Sequence, residues 1–510
     1  MYNQLHSAGI LGIDAYMVEV EADVSGGLPV FDIVGLPDAA VKESRNRVRS
    51  ALKNCGFSFP AGRITINLAP ADVKKAGSLY DLPSLLAILT ATEQLKSRYD
   101  LLKCAFIGEV SLDGNLRGIN GMLSMAIAAA DNGIEHFFVP SVNAKEASVV
   151  SNIKIYPVDN VRQLVEFLTT GKGISPLDSP VFGSHLGAYP DFSEVRGQAA
   201  AKRALETAAA GGHNVLMIGP PGSGKSMLAK RLPGILPSMT FEESIETTKV
   251  HSVAGLLKED IHLISERPFR APHHTVSAAG LSGGGAVPKP GEISLSHNGV
   301  LFLDEFPEFS RQAMETLRSP IEDGKVTISR AGGRLTYPCE FSLVAAMNPC
   351  PCGFYGHPKK KCICSSQTVK KYLGKISGPM LDRLDIHVEV PAVEFDELTG
   401  KPTGESSAEI RARVETARKL QNERYEGTGI KCNARLTPAM MREFCQMTPD
   451  AEAVLKGAFE RLGMSARSYD RILKIARTVA DLDNSRKITS AHIAEAIQFR
   501  SLDRKYWNDL

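Results

Sequence analysis

Eight consecutive residues constrain this chain more than any others: Gly219, Pro220, Pro221, Gly222, Ser223, Gly224, Lys225 and Ser226 fit the pattern G-x-x-x-x-G-K-[ST]. They follow an apolar run at 215–218 and precede a stretch with helical character at 227–232. Both flanks are what such a loop requires. Gly222 and Gly224 allow the backbone to curl until successive N–H groups face one anion. Lys225 brings a positive charge to where β- and γ-phosphates would lie, and the Ser226 hydroxyl is a ligand for Mg²⁺. The helix that starts here adds its positive end. The competing reading, a Gly-rich turn arising by chance, explains neither the strand before nor the Lys-Ser and helix after.

A phosphate loop of this kind needs acidic partners at the end of a neighbouring strand. Residues 300–303 (VLFL) form such a strand and end in Asp304 and Glu305. Open α/β sheets bind ligands at the carboxyl ends of their strands. Asp304 is therefore expected in the Mg²⁺ shell and Glu305 beside the attacking water. A second apolar run, 343–347, ends in Asn348, an amide that can hold water or a γ-phosphate without adding charge. Before Pro349, the same residue also suits a simple turn.

The 510 residues exceed one hydrophobic core, so about three domains are expected. Residues 1–170 read as mixed α/β: a strand at 15–24, a helix at 42–55, an apolar helix from 82 to 89, and a strand at 106–112 with Gly114 in the following turn. Residues 171–192 are rich in Gly, Ser and Pro and read as a linker. From 193 to 395, short buried strands alternate with helices, the pattern of a doubly wound parallel sheet. Residues 396–510 are helical. Ser406 and Glu409 form a capping box, Thr437-Pro438 a helix start, and 471–482 and 491–499 two further helices. The net charge is +2, so nucleic acid is not announced by bulk charge and any such site must be local. No apolar run is long enough to span a bilayer, and residues 1–20 lack a secretory signal; the cytoplasm is the expected compartment and no membrane partner is expected.

Three longer segments carry a family likeness. These are PFRAPHHT at 268–275, PGEISLSHNGVLFLDE at 290–305 and VAAMNPCPCG at 344–353. The chain resembles the magnesium-chelatase-like AAA+ ATPases, and within them the bacterial ComM/YifB subfamily, over essentially its whole length. The resemblance implies a multidomain α/β protein. It would have a Lon-protease-like N-terminal domain of the ribosomal S5 domain 2 type, an AAA+ phosphate-loop core with a parallel sheet, and a C-terminal helical lid. It also implies ATP and Mg²⁺ as cofactors, a homo-hexameric ring with ATP between subunits, and DNA as partner in branch migration during recombination or natural transformation. In that scheme Arg383 matches the finger that reaches a neighbour's γ-phosphate, and Arg467 the second sensor arginine of the lid. For each, a surface salt bridge is the plain alternative. A motor subunit of a magnesium chelatase, acting on a protein partner, is the alternative function, although no D-x-S-x-S motif is present.

Residues 324–337 alternate on both sides of Gly332-Gly333, a hairpin signal. Its place before the Asn348 strand matches the pre-sensor hairpin of ring helicases, so Lys325, Arg330 and Arg334 are candidate DNA contacts. A solvated hairpin face is the alternative. Of nine cysteines, Cys350, Cys352, Cys362 and Cys364 fall within fifteen residues. Four soft ligands in two C-x-C pairs suit a structural Zn²⁺ site, with His357 a substitute ligand and reduced thiols the alternative. His273 and His274 lack an evident third ligand and read as loop packing. In the N-terminal domain Ser84 falls where the Lon nucleophile would be, but Met125 occupies the position of its lysine. A thioether cannot take a proton, so no Ser–Lys peptidase is expected.

Overall fold

The computed structural model describes residues 1–180, 183, 189–258, 260–285, 288–330, 333–393 and 404–507. They divide into two units. The first comprises 1–183, 244–264 and 329–337, and the second 184–243, 265–328 and 338–510. Segments 244–264 and 329–337, read from the sequence as part of the 193–395 region, thus cluster with the first unit.

In the first unit, Tyr2–Leu11 and Asp14–Ser25 pair antiparallel across a tight turn where Gly12 takes a positive φ of 70°. The expected alternation at 15–24 is real: Val18, Val20 and Ala22 are fully buried. Around this hairpin a seven-stranded mixed sheet runs in the order Val30–Val34, Arg63–Ala69, Asp14–Ser25, Tyr2–Leu11, Cys104–Phe106, His136–Pro140 and Lys154–Val158. The expected helix at 42–55 spans Ala39–Asn54, capped by the Asp38 carboxylate and burying Val41, Val48 and Leu52. The apolar helix spans Asp81–Ala91 and is buried nearly all round. Ser84 lies inside it, and Met125 is fully buried in the same unit.

The expected strand at 106–112 is not continuous. Cys104–Phe106 and Glu109–Val110 belong to different sheets, and Gly108 breaks them. Gly108 accepts from Leu82 N–H and donates to the Leu79 carbonyl, so its backbone is diverted to the start of the buried helix. A Cβ there would lie 2.5 Å from a Leu116 methyl. Tertiary packing overrides the local apolar pattern.

The second unit carries five parallel strands in the order Phe269–Arg270, Gly299–Leu303, Phe341–Met347, Val215–Ile218 and Ile386–Glu389. The three strands read from the sequence occupy its middle, and the apolar runs are buried on both faces as such strands require. The C-terminal part is helical. Ser406 and Glu409 make the expected capping box of Ser407–Arg424, and Thr437 caps Pro438–Phe444. The expected 471–482 and 491–499 helices span Ala466–Leu482 and Ser490–Gln498.

One charged knot fixes these helices. Asp481 is 0% exposed and accepts from Arg424 at 2.6 and 2.9 Å, from Arg477 at 3.1 Å and from Asn433 at 2.9 Å. Removing the carboxylate would leave the buried Arg477 guanidinium uncompensated, a loss of about 3–5 kcal/mol. Asp481→Ala is therefore expected to lower the melting temperature of the helical region and to raise hydrogen exchange in Ala466–Leu482, whereas a surface change such as Glu423→Ala leaves both unchanged.

Candidate functional site

Parallel pairing sets the strand ends level. Ile218 pairs with Met347 and Leu303 with Ala345, so Gly219, Asn348, Asp304 and Glu305 emerge at one edge of the sheet. The loop keeps the shape that its glycines allow. Gly222 and Gly224 have φ of 76° and 91°, values that side-chain-bearing residues rarely adopt. Gly219 is needed for a different reason: a Cβ there would sit 2.1 Å from the Val390 carbonyl oxygen.

Lys225 is the first residue of the helix Lys225–Arg231, and only 8% of it is exposed. Its ammonium donates to the Gly219 carbonyl at 2.8 Å, the Pro220 carbonyl at 2.9 Å and the Asn348 amide oxygen at 3.2 Å. Burial lowers its pKa to about 8, against the pull of Asp304. The Ser226 hydroxyl donates to Asp304 at 2.6 Å, which puts two hard oxygen ligands side by side, as a Mg²⁺ shell needs. The residues present thus fit a magnesium–triphosphate: a glycine loop at a helix start, a cation and an oxygen pair.

Glu305 lies next, in the left-handed region at φ 51°, which is uncommon for a non-glycine residue and is seen mostly where function holds it. His274 Nδ1 is 3.1 Å from its carboxylate. The sequence gives no sign of this contact and reads His273 and His274 as loop packing. Strand pairing brings the two segments side by side. Arg270 pairs with Leu301, and His274 and Glu305 each follow four residues beyond, in the loop and turn that leave these strands. The stacked His273 ring, 4.1 Å from that of His274, bonds instead to Thr275.

The remaining candidates lie elsewhere. Arg383 is 14% exposed and bound to Glu322 at 2.7 Å and to the carbonyls of Arg318 and Pro379 at 3.2 and 2.6 Å. Arg467, 73% exposed, reaches Asp382 at 3.3 Å, a carboxylate that the better buried Arg471 shares. Lys325 and Arg334 are exposed on a hairpin of Lys325–Arg330 and Gly333–Pro338, in which Val326, Ile328 and Tyr337 are buried. Arg330 ends the first strand, and Gly332 of the expected turn lies outside the described residues.

The four clustered cysteines converge: their sulfurs all lie within 4.8 Å of one another. His357 is not among them; its Nδ1 accepts the Lys359 and Lys360 backbone N–H groups at 3.0 Å each. Backbone N–H groups of Ile363 and Phe354 pull the Cys352 thiol down to about 6. The Cys364 N–H pulls Cys362 the same way, but burial and the neighbouring sulfurs outweigh it and leave that thiol at about 12. Four converging thiols suit a dication among them.

The fold and the site define a phosphate-loop ATPase core of the AAA+ kind. The description "Magnesium chelatase, subunit ChlI" matches residues 191–398, "Subunit ChlI of Mg-chelatase" residues 20–143, and "Magnesium chelatase, subunit ChlI C-terminal" residues 404–500. The chain is 43% identical to competence protein ComM of Haemophilus influenzae over 509 residues, covering 98% of this chain and 97% of that one. It is 42% identical to the uncharacterised protein YifB of Escherichia coli over 501 residues, with 98% and 97% covered. It also matches DNA replication licensing factor Mcm6 of Drosophila melanogaster at 23% identity over 360 residues, 69% of this chain and 39% of that one. The chain belongs to the magnesium-chelatase-like AAA+ family, in its ComM/YifB group. Membership implies ATP and Mg²⁺. Among the described residues, no helix is long and apolar enough to cross a membrane.

Lys225 gives this site a pH dependence. Phosphate attracts the charged ammonium, and in the nucleotide-free protein that charge is lost as pH rises through about 8. ATP affinity should therefore be flat below that value and weaken by about tenfold between about pH 7 and about pH 9, with proton uptake on binding at the higher pH. Calorimetric titrations in two buffers of different ionisation heat check both. An affinity that does not change across this range would contradict the assignment.

Proposed function

We propose that this chain is an ATP-hydrolysing DNA motor that works as a ring of six and promotes branch migration. The carrying observation is the convergence of Lys225, Ser226, Asp304, Glu305 and Asn348 on one sheet edge, with a basic hairpin immediately before the Asn348 strand. The name of the ComM relative, a competence protein, and that of the Mcm6 relative, a DNA replication licensing factor, support DNA as the partner.

Gly219 to Ser226 wrap the phosphates, and Lys225 moves from its carbonyl partners to the β- and γ-oxygens. Mg²⁺, when held by Ser226 with Asp304 nearby, neutralises the charge on the triphosphate. Glu305 orients the attacking water and accepts its proton, and His274 fixes where that carboxylate points. Asn348 holds the γ-phosphate side of the site. Arg383 leaves Glu322 to reach a neighbouring subunit's ATP, and Arg467 reports its state from the lid. Lys325, Arg330 and Arg334 of the hairpin grip the DNA backbone, so that cleavage at the interface moves the strand. The four cysteines hold Zn²⁺ as a structural site.

A second reading, a chelatase motor acting on a protein partner, draws support from the three ChlI matches. DNA dependence separates the two. ATPase activity should rise with single-stranded, duplex or four-way-junction DNA relative to none. Glu305→Gln should bind ATP and lose turnover by about a hundredfold or more. Arg330→Ala with Arg334→Ala should keep basal turnover and lose the DNA stimulation. Turnover indifferent to every DNA would favour the second reading.

A further inference from the structure

The cysteine knuckle does not stand apart from the ATP site. Cys350 follows Asn348 by two residues, and Asn348 accepts from Lys225 at 3.2 Å. Its strand is tied to the loop a second time, where Gly219 N–H donates to the Met347 carbonyl at 3.2 Å. A third contact comes from inside the knuckle. Gly353 turns at φ 82°, donating to the Cys350 carbonyl at 2.9 Å, and lies so close to the phosphate loop that a Cβ on it would be 2.3 Å from Pro221 Cδ. Pro221 is the residue before Gly222, where the loop begins to curl.

The sulfur geometry favours a metal. Cys350 is fully buried, its sulfur lies 3.3 Å from that of Cys352 and 3.7 Å from that of Cys362, and the latter two are 3.6 Å apart. Tetrahedral Zn²⁺ with Zn–S bonds of about 2.3 Å requires sulfur–sulfur edges of ~3.8 Å. The Tyr355 N–H donates to the Cys350 sulfur at 3.3 Å, the kind of outer contact that supports a thiolate ligand. Between the two C-x-C pairs runs a short segment, 353–361, with few apolar residues of its own. Such a segment keeps a fixed shape only when its ends are pinned.

Resting on the reading of these cysteines as a zinc site, we infer that the loaded knuckle is a prop for the phosphate loop: zinc fixes Gly353 against Pro221, and that contact holds residues 219–226 in their anion-binding curl. Nucleotide affinity then depends on a metal that never touches the nucleotide. Gly353 and Pro221 are the positioning residues.

The test measures three quantities on the full-length protein. Elemental analysis is expected to give about one zinc per chain. Chelating the zinc should speed amide hydrogen exchange in 219–226 with nucleotide absent and weaken ATP binding about tenfold or more, and added Zn²⁺ should restore both. Exchange in Ala466–Leu482 serves as the control for general unfolding. Gly353→Ala, which forces its new methyl into Pro221, should retain zinc yet reproduce the faster exchange and the weaker binding. Metal-free purified protein that folds normally overturns the proposal. So does a zinc-loaded Gly353→Ala protein that binds ATP like the wild type with unchanged loop exchange. If loop exchange follows zinc while no form binds ATP, the prop stands and the nucleotide reading falls.

Discussion

A lysine ammonium taken out of water must be surrounded by oxygens, and in this protein those oxygens fix a whole site. Lys225 is held by the carbonyls of Gly219 and Pro220 and by the Asn348 side chain. The first two make the loop close on its own lysine. The third ties the loop to the end of a neighbouring strand. Because the strands are parallel and in fixed register, the same edge also carries Asp304 and Glu305. The relative placing of these side chains is thus set largely by sheet pairing.

Two extensions of that edge refine the picture. His274, in the loop after the adjacent strand Phe269–Arg270, meets Glu305, whose backbone is left-handed. On the other side the chain leaves Asn348 and enters the cysteine knuckle, which returns over Pro221. One acidic side chain is therefore aimed by a histidine, and one loop is flanked by a cluster of thiols. Arg383, by contrast, is engaged with Glu322 and two carbonyls inside its own unit. Any role at a neighbour's site requires those bonds to be exchanged, and an always-charged fork that binds carboxylate and phosphate alike suits such an exchange.

Much of this was legible in the residues because local signals and tertiary context agreed. The phosphate loop, the capping box at Ser406 and Glu409, and the apolar strands ending in Asp304 and Asn348 each carry their cause in a few neighbouring residues. Other features depend on partners far away in sequence. Tyr2–Leu11 has no clean alternation, since neighbours on both sides of the sheet decide its burial. The run at 106–112 is apolar enough for one strand, but Gly108 is drawn to Leu79 and Leu82 and the strand breaks. The His274–Glu305 contact joins two segments whose meeting neither one encodes alone. The grouping of 244–264 and 329–337 with the first unit is of the same kind.

The central claim is that the ammonium of Lys225, positioned by its loop, is what captures a triphosphate. Titration calorimetry of magnesium ATP into the wild type and into Lys225→Ala, with thermal melts to establish that both are folded, tests it directly. Saturable binding by the wild type and none by the folded variant is the expected result. Equal binding by the two proteins, or a folded wild type that does not retain ATP, would contradict it.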